Sequence, residues 1–593
     1  MSAAPSESPD RTLPIALGVS VLVAAVLVVA HAASFAASLG DTDDALRLVM
    51  VRELLAGRGW FDQHMLRLQP PVGLYMHWSR LVDGGEAGLE RLFGLVLPAA
   101  SAEAAMRLSW PLLWILPAVA AALSLARSLR RDSQLVCALL LATSLNLYVQ
   151  FLPGRVDHHN IQIALCLTAV AAAARGATLL DGVVAGAATA LGLAVGLEAL
   201  PFLAVAGAGV TLRLLLQPTS ARAAKGYGLA LGLTSVAAFM IQVPPTRWGV
   251  PACDAMAVNL VAGLGLGGLG VAAAAMLAPQ GRPRLRLVLI MLAALAAAAG
   301  YLGLHPACIR GPMAEIDPRL KPIWFQHIQE LQSWPTELKA DPVWAVTIAA
   351  APLLGLLGAA WLLAQESCRR RPEVLIATAC LATAVLAAVF AIRSAHYAAW
   401  LAIPVLAAAV ADLGARLWTA RPLRTFALAG FGSPLLVGAA AGGLLALALP
   451  ADARNRSPHR SDTPQAACFR TRPYAPLASL SAGRALAPID LGPYILASSR
   501  LSVMSAPYHR MSFGVLAASD VLASSPAAAE AKARALGVGY VVDCPALRVN
   551  DDHVRMGPGS LQAALDGGRA PAWLQPLSPA GSVITVYRLR PPA

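Results

Sequence analysis

Long runs of apolar residues, separated by short polar segments, make up most of the first 450 residues. Runs of about 17–25 apolar residues have the length that an α-helix needs to cross the hydrocarbon core of a bilayer. The pattern predicts roughly thirteen membrane-spanning helices, although Pro201 also permits one long kinked helix over 182–216. The predicted spans are 13–39, 104–126, 133–151, 160–178, 182–198, 200–216, 226–243, 255–278, 285–305, 342–364, 373–392, 396–415 and 425–449.

Two long segments between these spans break the apolar pattern. The segment 40–103 begins with leucine, valine and methionine residues at helical spacing, which predicts an amphipathic helix. Loops as long as 306–341 are usually functional or disordered. In that segment Trp324, Phe325 and Trp334 favour an ordered, amphipathic lid.

The end of the chain differs from the rest. After a polar linker at 451–466, the tail 467–593 contains short apolar runs bounded by Gly and Pro, such as 540–543, which are typical of strands. The Ala-rich stretch 527–536 predicts a helix that ends at a glycine. We therefore expect a transmembrane domain at 1–450, followed by a small α/β domain.

The amino-acid composition also indicates a membrane protein. Of the 593 residues, 57% are hydrophobic and 13% are charged. A soluble protein of this size does not require so much apolar surface, so the composition favours a polytopic helical membrane protein. The formal charge of +13 lies mostly in short loops between the spans, which argues against a nucleic-acid partner.

The loop charges also predict the orientation. Short cytoplasmic loops are enriched in Lys and Arg. With a cytoplasmic N-terminus, both long loops and the tail lie outside, in the periplasm of a bacterial cell, and the protein lies in the inner membrane. The first span is long for the apolar part of a cleaved signal peptide. The cytoplasmic loops would carry Arg127, Arg130, Arg131, Arg175, Arg213, Arg222, Lys225, Arg282, Arg284, Arg286, Arg369, Arg370, Arg371, Arg416, Arg421 and Arg424.

Four cysteines fall on the predicted outer side, where the environment is oxidising and an even number permits disulfides. We predict a bond between Cys468 and Cys544. Pairing of Cys253 with Cys308, and free thiols, are the alternatives.

Two acidic clusters lie at helix ends on the same predicted face. They read Asp41-Thr42-Asp43-Asp44 and Asp157-His158-His159. Carboxylates at a membrane boundary cost free energy unless they hold a cation or a proton path. The alternatives are a helix cap for the first cluster, to which Asp44 is assigned, and a solvated interfacial turn for the second.

Carboxylate and imidazole groups suit a hard divalent cation such as Mg2+ or Mn2+. We therefore predict Asp41, Asp43, Asp157 and His158 as metal ligands, with one carboxylate available as a base for an acceptor hydroxyl. His159 is assigned to donor phosphate, although either imidazole suits either role.

Three arginines join His159 as candidate phosphate ligands. Arg67, Arg80 and Arg393 lie in or beside the outer loops, and a guanidinium group makes bidentate contacts to oxyanions. The alternative for each is snorkelling at the membrane interface. Trp78 in His77-Trp78-Ser79-Arg80 could stack on a sugar or pack in the core. The stretch Tyr508-His509-Arg510 is a candidate only because it combines polar and aromatic side chains.

In this order the motifs resemble those of the catalytic subunit of oligosaccharyltransferases, which are membrane glycosyltransferases of the GT-C type. The resemblance covers most of the chain. It runs from the first acidic motif through an amphipathic helix, the aromatic stretch Trp60-Phe61-Asp62, the second acidic motif after Gly154, a glutamate at Glu315 and an arginine at Arg393.

The resemblance implies a GT-C fold and metal-assisted transfer of a sugar or oligosaccharide. The donor would be a polyprenyl phosphate or diphosphate in the bilayer, and the acceptor a periplasmic protein or glycan. Glu315 would then join the metal ligands.

One departure from the family concerns the acceptor. Its tail motif W-W-D-Y-G reads the hydroxyamino acid of an asparagine sequon, whereas the corresponding stretch 487–492 keeps Asp490 and Gly492 but has no tryptophan pair. Proline and isoleucine side chains cannot supply the indole N–H donors. Asp490 is retained as an acceptor-side residue, and an acceptor other than the sequon is predicted.

Two other classes of protein are alternatives to a transferase. A transporter or lipid-linked-glycan flippase places ionisable residues near the bilayer midplane, often within repeats. Here the acidic clusters lie at helix ends, no repeat is visible, and Glu198 beside Pro201 is the main exception. A non-catalytic assembly subunit would not require either acidic motif.

Overall fold

A computed structural model describes residues 10–278, 282–418, 422–450, 464–549 and 557–592. Most of the predicted linker 451–466 lies outside the described residues.

Helices occupy the position of every predicted span. Short helices α2, α3, α13 and α14 lie in the two long outer loops, and a small hairpin of β1 (His64–Met65) and β2 (Leu74–Tyr75) separates α2 from α3. The helices before the tail are α1 (Thr12–Ala37), α2 (Thr42–Leu55), α3 (Arg80–Phe93), α4 (Ala99–Leu113), α5 (Ile115–Leu129), α6 (Gln134–Thr143), α7 (His159–Arg175), α8 (Leu179–Val195), α9 (Leu200–Leu216), α10 (Ala221–Gln242), α11 (Val258–Leu277), α12 (Pro283–Leu304), α13 (Leu320–Ile323), α14 (Trp334–Ala340), α15 (Pro342–Ala364), α16 (Pro372–Phe390), α17 (Ser394–Leu417), α18 (Pro422–Phe431) and α19 (Pro434–Ala448).

The polytopic class is confirmed, whereas the number of spans stays a prediction. Within the described ranges, 8 helices are long and apolar enough to cross a membrane, or up to 10 if each bent pair is one span. Helices α7, α8 and α9 have 17 residues each, close to the lower limit for a span. The stretch 182–216 forms two helices, α8 and α9, rather than one kinked helix.

Small residues allow the helices of the membrane body to pack closely. A side chain at Gly182 or Gly186 of α8 would overlap the backbone of α10, and one at Gly228 of α10 would overlap the backbone of α11. Lipid tails are as apolar as leucine, so membrane helices associate through such van der Waals packing rather than through hydrophobic exclusion of water.

The tail is an α/β domain, as predicted. Its five strands lie in the order β4-β3-β5-β7-β6, with β3 parallel to both β4 and β5, and β7 antiparallel to both β5 and β6. These elements are β3 (Arg484–Leu486), α20 (Gly492–Ser498), β4 (Ser502–Val503), α21 (Ser512–Ala523), α22 (Pro526–Ala535), β5 (Tyr540–Asp543), α23 (Leu561–Asp566), β6 (Leu574–Pro576) and β7 (Thr585–Leu589).

The first outer loop and the tail share one hydrophobic core. Buried residues of α2 and of the 65–78 segment belong to the same cluster as residues of α20 and β5. Next to β4, the loop residue Leu68 pairs in parallel with Val503, so the loop extends the sheet of the tail. The tail is therefore fixed to the membrane body by backbone pairing as well as by packing.

The predicted disulfide between Cys468 and Cys544 is confirmed, with Cα atoms 6.0 Å apart. Cys253 and Cys308 form a second disulfide. The first bond joins the start of the tail to the residue that follows β5, and the second joins the loop after α10 to the loop after α12.

We expect loss of the Cys468–Cys544 bond to destabilise the tail. The bond closes a loop with a sequence separation of 76 residues, and a disulfide of this kind contributes about 2–4 kcal/mol by restricting the unfolded chain. The double variant Cys468→Ser/Cys544→Ser should become more sensitive to limited proteolysis of the tail at elevated temperature. The matched control is Cys368→Ser, because Cys368 is a free thiol in the membrane body. Equal digestion rates for the two variants would contradict the prediction.

Candidate active site

The carboxylate of Asp44 joins the two acidic motifs. Its Oδ1 accepts hydrogen bonds from the backbone N–H groups of Val156, at 2.8 Å, and of Asp157, at 2.9 Å. Its Oδ2 accepts from the backbone N–H of Asp41 at 3.0 Å, and the side chain is fully buried. Asp44 therefore positions both motifs and is more than the helix cap that the sequence indicated.

A glycine precedes the first motif for a steric reason. Gly40 has a φ of +91°, and a Cβ atom there would overlap the carboxylate of Asp44. Only glycine adopts this backbone conformation at low cost. The chain can therefore turn sharply from α1 into α2 while keeping Asp44 against the second motif.

Asp41 is the N-cap of α2, so the capping interpretation of this residue also holds. Its Oδ1 accepts from the backbone N–H groups of Asp43 and Asp44, each at 3.0 Å. Its Oδ2 binds the guanidinium of Arg155, which also lies 2.9 Å from Asp44 Oδ2. Burial opposes ionisation of Asp41, but Arg155 outweighs it and the pKa of Asp41 lies below its usual range.

The second motif places one carboxylate between two imidazoles. Asp157 Oδ1 lies 2.6 Å from Nδ1 of His158, and Oδ2 lies 3.4 Å from Nε2 of His159. Burial disfavours the charged form of Asp157, but both imidazoles outweigh this effect and its pKa lies well below the usual range. Burial lowers the pKa of His158, yet Asp157 and Glu198 raise it to about 10.

The site carries an excess of negative charge around Asp43. Burial raises the pKa of Asp43 well above its usual range, and the charges of Asp157 and Asp41 raise it further. Asp44 accepts hydrogen bonds from the backbone of both Asp41 and Asp157, so the two acidic motifs meet at one junction. A divalent cation would relieve that repulsion, because it stabilises the charged form of each carboxylate.

The donor atoms fit a metal ion. Asp157, His158 and His159 each offer one ligand atom, and these atoms lie within 4.8 Å of one another. Carboxylate oxygen with imidazole nitrogen suits a divalent ion such as Mn2+ or Zn2+, while Mg2+ prefers oxygen alone. The donor chemistry therefore fits a divalent metal ion without fixing its identity.

Charged groups behind the imidazoles complete the site. Glu198 lies between His158, at 3.6 Å, and Arg393, at 3.8 Å. Arg47 lies 3.7 Å from Asp157 and makes a 2.6 Å ion pair with Asp83. The sequence analysis did not assign Glu198 or Arg47 to the site, although an ionisable residue beside a helix break was a usable signal for Glu198.

The motifs face a cavity of about 1100 Å³. Residues of the membrane body, of both long loops and of the tail line it. Of the predicted site residues, the structure brings these to its wall: Asp41, Asp43, His158, His159, Arg393 and Asp490. Asp157 is buried behind them, and burial raises the pKa of Asp490 to about 6.

Two arginines predicted to bind phosphate have other partners. Arg67 donates hydrogen bonds to the carbonyl groups of Leu496, Ser499 and Leu501 in the tail. Arg80 pairs with Asp83 at 3.0 Å and donates to carbonyl groups in the first loop. Neither guanidinium lines the cavity. Their observed role is to hold the first loop together and to the tail.

Glu315 of the second long loop, which was predicted as a metal ligand, also lies away from the cavity. Glu315 pairs with His305 at 2.8 Å, its side chain is 53% exposed, and it does not line the cavity. Glu330 of the same loop lines the cavity, and its charge contributes to the raised pKa of Asp43. The loop therefore presents Glu330 to the acidic motifs, and Glu315 lies at its outer side.

No protein-family model and no curated protein matches the chain. Several solved structures share its fold. The apo form of the Archaeoglobus fulgidus oligosaccharyltransferase is 13% identical, with a TM-score of 0.65 over 90% of this chain and 70% of that chain. The same organism's AglB in complex with an inhibitory peptide and a dolichol-phosphate is 14% identical, with a TM-score of 0.64 over 97% and 74%.

A complex of the Archaeoglobus fulgidus oligosaccharyltransferase with Zn and sulfate is 15% identical, with a TM-score of 0.59 over 98% of this chain and 73% of that chain. At these identities the likeness concerns the fold. The resemblance to GT-C oligosaccharyltransferases inferred from the order of motifs is thus confirmed at the level of the fold, across both the membrane body and the tail.

We expect Asp44→Ala to destabilise the protein. The change leaves three backbone N–H groups in the buried junction without an acceptor, and each unsatisfied group costs about 1–3 kcal/mol. Thermal unfolding in detergent, followed by tryptophan fluorescence, should begin at a clearly lower temperature than for the unmodified protein. The control is Asp520→Ala, because the Asp520 side chain is 64% exposed and its ion pair with Lys532 lies at the surface. If both variants unfold together, Asp44 does not hold the junction.

Proposed function

We propose that this protein is a membrane glycosyltransferase. It transfers a sugar or oligosaccharide from a polyprenyl phosphate or diphosphate to an extracytoplasmic acceptor. The observation that carries the proposal is the buried acidic junction, in which Asp41, Asp43 and Asp157 lie with two imidazoles at a cavity between an apolar helical body and an α/β tail. The fold shared with oligosaccharyltransferases supports the same reaction class.

The chemistry follows from the charge of the leaving group. The donor loses a phosphate or diphosphate anion when the sugar is transferred, and fixed positive charge in a buried site stabilises that anion strongly. A bound divalent ion would supply Lewis-acid stabilisation of this charge, with Asp41, Asp43, Asp157 and His158 as its proposed ligands. Arg393 and His159 line the same cavity and are proposed to contact the phosphate oxygens.

The donor proposal also draws on the comparison structures. One Archaeoglobus fulgidus structure contains a dolichol-phosphate, and another has a tethered acceptor peptide with the NVT sequon. In this chain Leu193 and Val195, at the end of the apolar helix α8, line the cavity, which suits a donor with a long polyprenyl tail. We therefore propose a lipid-linked donor that enters from the bilayer.

For the acceptor we propose a group other than the asparagine sequon. Asp490 lines the cavity from the tail, where its neighbours are Pro488 and Ile489. Two indole N–H donors are missing from this stretch, so the hydroxyl of a sequon serine or threonine would lose those partners. The acceptor is a periplasmic protein or glycan bound by other contacts.

We further propose that the protein lies in the bacterial inner membrane with its N-terminus in the cytoplasm. Residues 1–450 would form the transmembrane domain, and 467–593 would lie in the periplasm. The disulfides Cys253–Cys308 and Cys468–Cys544 support this orientation, because structural disulfides persist in oxidising compartments. Both join segments next to the cavity.

The alternative function is transport or flipping of a lipid-linked glycan. The observation in its favour is Glu198, an ionisable residue at the break between α8 and α9 that interacts with His158 and Arg393. Broken helices with ionisable residues are common in transporters. The two functions differ in their product, since a transporter moves the donor without cleaving it.

We expect Asp157→Asn to abolish transfer while the protein remains folded. The change keeps the size of the side chain but removes one ligand charge. A loss of several kcal/mol of transition-state stabilisation corresponds to a rate at least about 100-fold lower. The assay uses purified protein with undecaprenyl phosphate or diphosphate carrying a radiolabelled sugar, with and without a chelator, and scores both transferred sugar and cleaved donor.

The matched control is Asp132→Asn, because the Asp132 side chain is 60% exposed and lies in a short loop between spans. It should transfer at the unmodified rate. Full transfer by Asp157→Asn in the presence of chelator would refute the metal-assisted mechanism. Movement of intact donor across reconstituted vesicles, without cleavage, would instead support the transporter.

A further inference from the structure

A second polar cluster lies at the same cavity, apart from the acidic junction. His77 of the first loop, Asp254 of the loop after α10 and His509 of the tail line the cavity, and Arg510 of the tail contacts Asp254 without lining it. Asp254 Oδ2 lies 2.6 Å from Nε2 of His509 and accepts from Nε of Arg510 at 2.8 Å, while Oδ1 accepts from Nη2 of Arg510 at 2.6 Å. The ring of His77 meets the ring of His509 edge-on, with centroids 4.5 Å apart.

Each member of the cluster is held by a separate structural element. Asp254 follows Cys253, whose disulfide to Cys308 anchors the loop. Tyr508, beside His509, donates its hydroxyl hydrogen to the carbonyl of Thr42, at 3.2 Å, between Asp41 and Asp43. The cluster is therefore rigid, and it is connected directly to the first acidic motif.

The hydrogen bonds indicate how His509 is protonated. Both carboxylate oxygens of Asp254 already face the guanidinium of Arg510, so the pair carries little net charge. Burial opposes ionisation of Asp254, but hydrogen bonds from His509 and Arg510 keep its pKa below the usual range. Asp254 therefore accepts a hydrogen bond from the Nε2–H of His509, and in this tautomer Nδ1 carries the lone pair.

We propose that His509 is the general base of the reaction and that the acceptor group is a hydroxyl. Asp254, held by Arg510, is a positioning residue that fixes the tautomer and orientation of His509. This inference rests on the proposed glycosyl transfer and names the acceptor chemistry at the same cavity.

The proposed step forms one bond to the anomeric carbon and breaks another. The acceptor oxygen forms a bond to the anomeric carbon of the sugar, and the bond from that carbon to the donor phosphate oxygen breaks. Its electron pair leaves with the phosphate, and the hydroxyl proton moves to Nδ1 of His509. Histidine is the side chain most often used for such a proton transfer.

The cluster also offers three metal-ligand groups, namely His77, Asp254 and His509. However, Arg510 occupies both oxygens of the only carboxylate, and a cation there would lie against the guanidinium charge. By contrast, the acidic junction has an uncompensated carboxylate at Asp43. The charge distribution therefore separates a cation-binding side of the cavity from a side suited to proton transfer.

The test compares two nucleophiles in the full-length protein. Ethylene glycol at high concentration serves as a minimal hydroxyl acceptor, and azide serves as an anion that has no proton to lose. The donors are undecaprenyl phosphate and diphosphate carrying a radiolabelled sugar. We expect His509→Ala to transfer to ethylene glycol about 10²–10⁴-fold more slowly, while forming glycosyl azide at the unmodified rate with an unchanged KM for the donor.

Asp254→Asn should show the same split with a smaller loss, and should add little further loss to His509→Ala, because the two residues act as one unit. The control is His64→Ala, since His64 lies in the same outer loop but does not line the cavity. It should react with both nucleophiles at the unmodified rates.

Three results would overturn the assignment. His509→Ala could transfer to ethylene glycol at the unmodified rate. It could lose both reactions or raise the KM for the donor, which would make His509 a donor-binding residue. It could bind one Mn2+ fewer than the unmodified protein, which would make the cluster a metal site. If the unmodified protein cleaves no donor with either nucleophile, the proposed glycosyl transfer itself fails.

Discussion

The organisation of the cavity depends on one buried carboxylate. Asp44 has no access to water, so each of its oxygens must be satisfied by the protein. The available partners are backbone N–H groups of two segments more than a hundred residues apart in sequence, together with the guanidinium of Arg155. Satisfying this single carboxylate brings α2 to the start of α7. It also places Asp41 at the wall of the cavity and Asp157 directly behind that wall.

The tail contributes to the cavity because it is built onto the first outer loop. Val503 of β4 exchanges backbone hydrogen bonds with the loop, donating to Arg67 and accepting from Gln69. The side chain of Arg67 donates to further carbonyl groups of the tail. A tail attached by a flexible linker alone could not hold His509 at a fixed position relative to the acidic motifs, whereas this pairing does.

The sequence predicted the features that depend on local pattern. Long apolar runs located the helices, the short apolar run 540–543 located β5, and the acidic motifs were found because charge is rare in this chain. The similar run 488–491 forms a 3-10 helix instead of a strand. Long-range partners were not predictable. Nothing local indicates that Arg67 bonds to carbonyl groups over 400 residues away, or that Glu330 rather than Glu315 faces Asp43. For the same reason the partner of His509, 255 residues earlier at Asp254, was found only in the structure.

The two sides of the cavity differ in electrostatics in a way that matches two different tasks. Around Asp43 the negative charges exceed the nearby positive ones, so this side attracts a cation and, through it, an anionic leaving group. Beside His509, the carboxylate of Asp254 is paired with the guanidinium of Arg510, so it holds the imidazole in place while its own charge is balanced. In the proposed mechanism, the absence of the tryptophan pair and the presence of the His509–Asp254 pair both follow from an acceptor that must lose a hydroxyl proton to react.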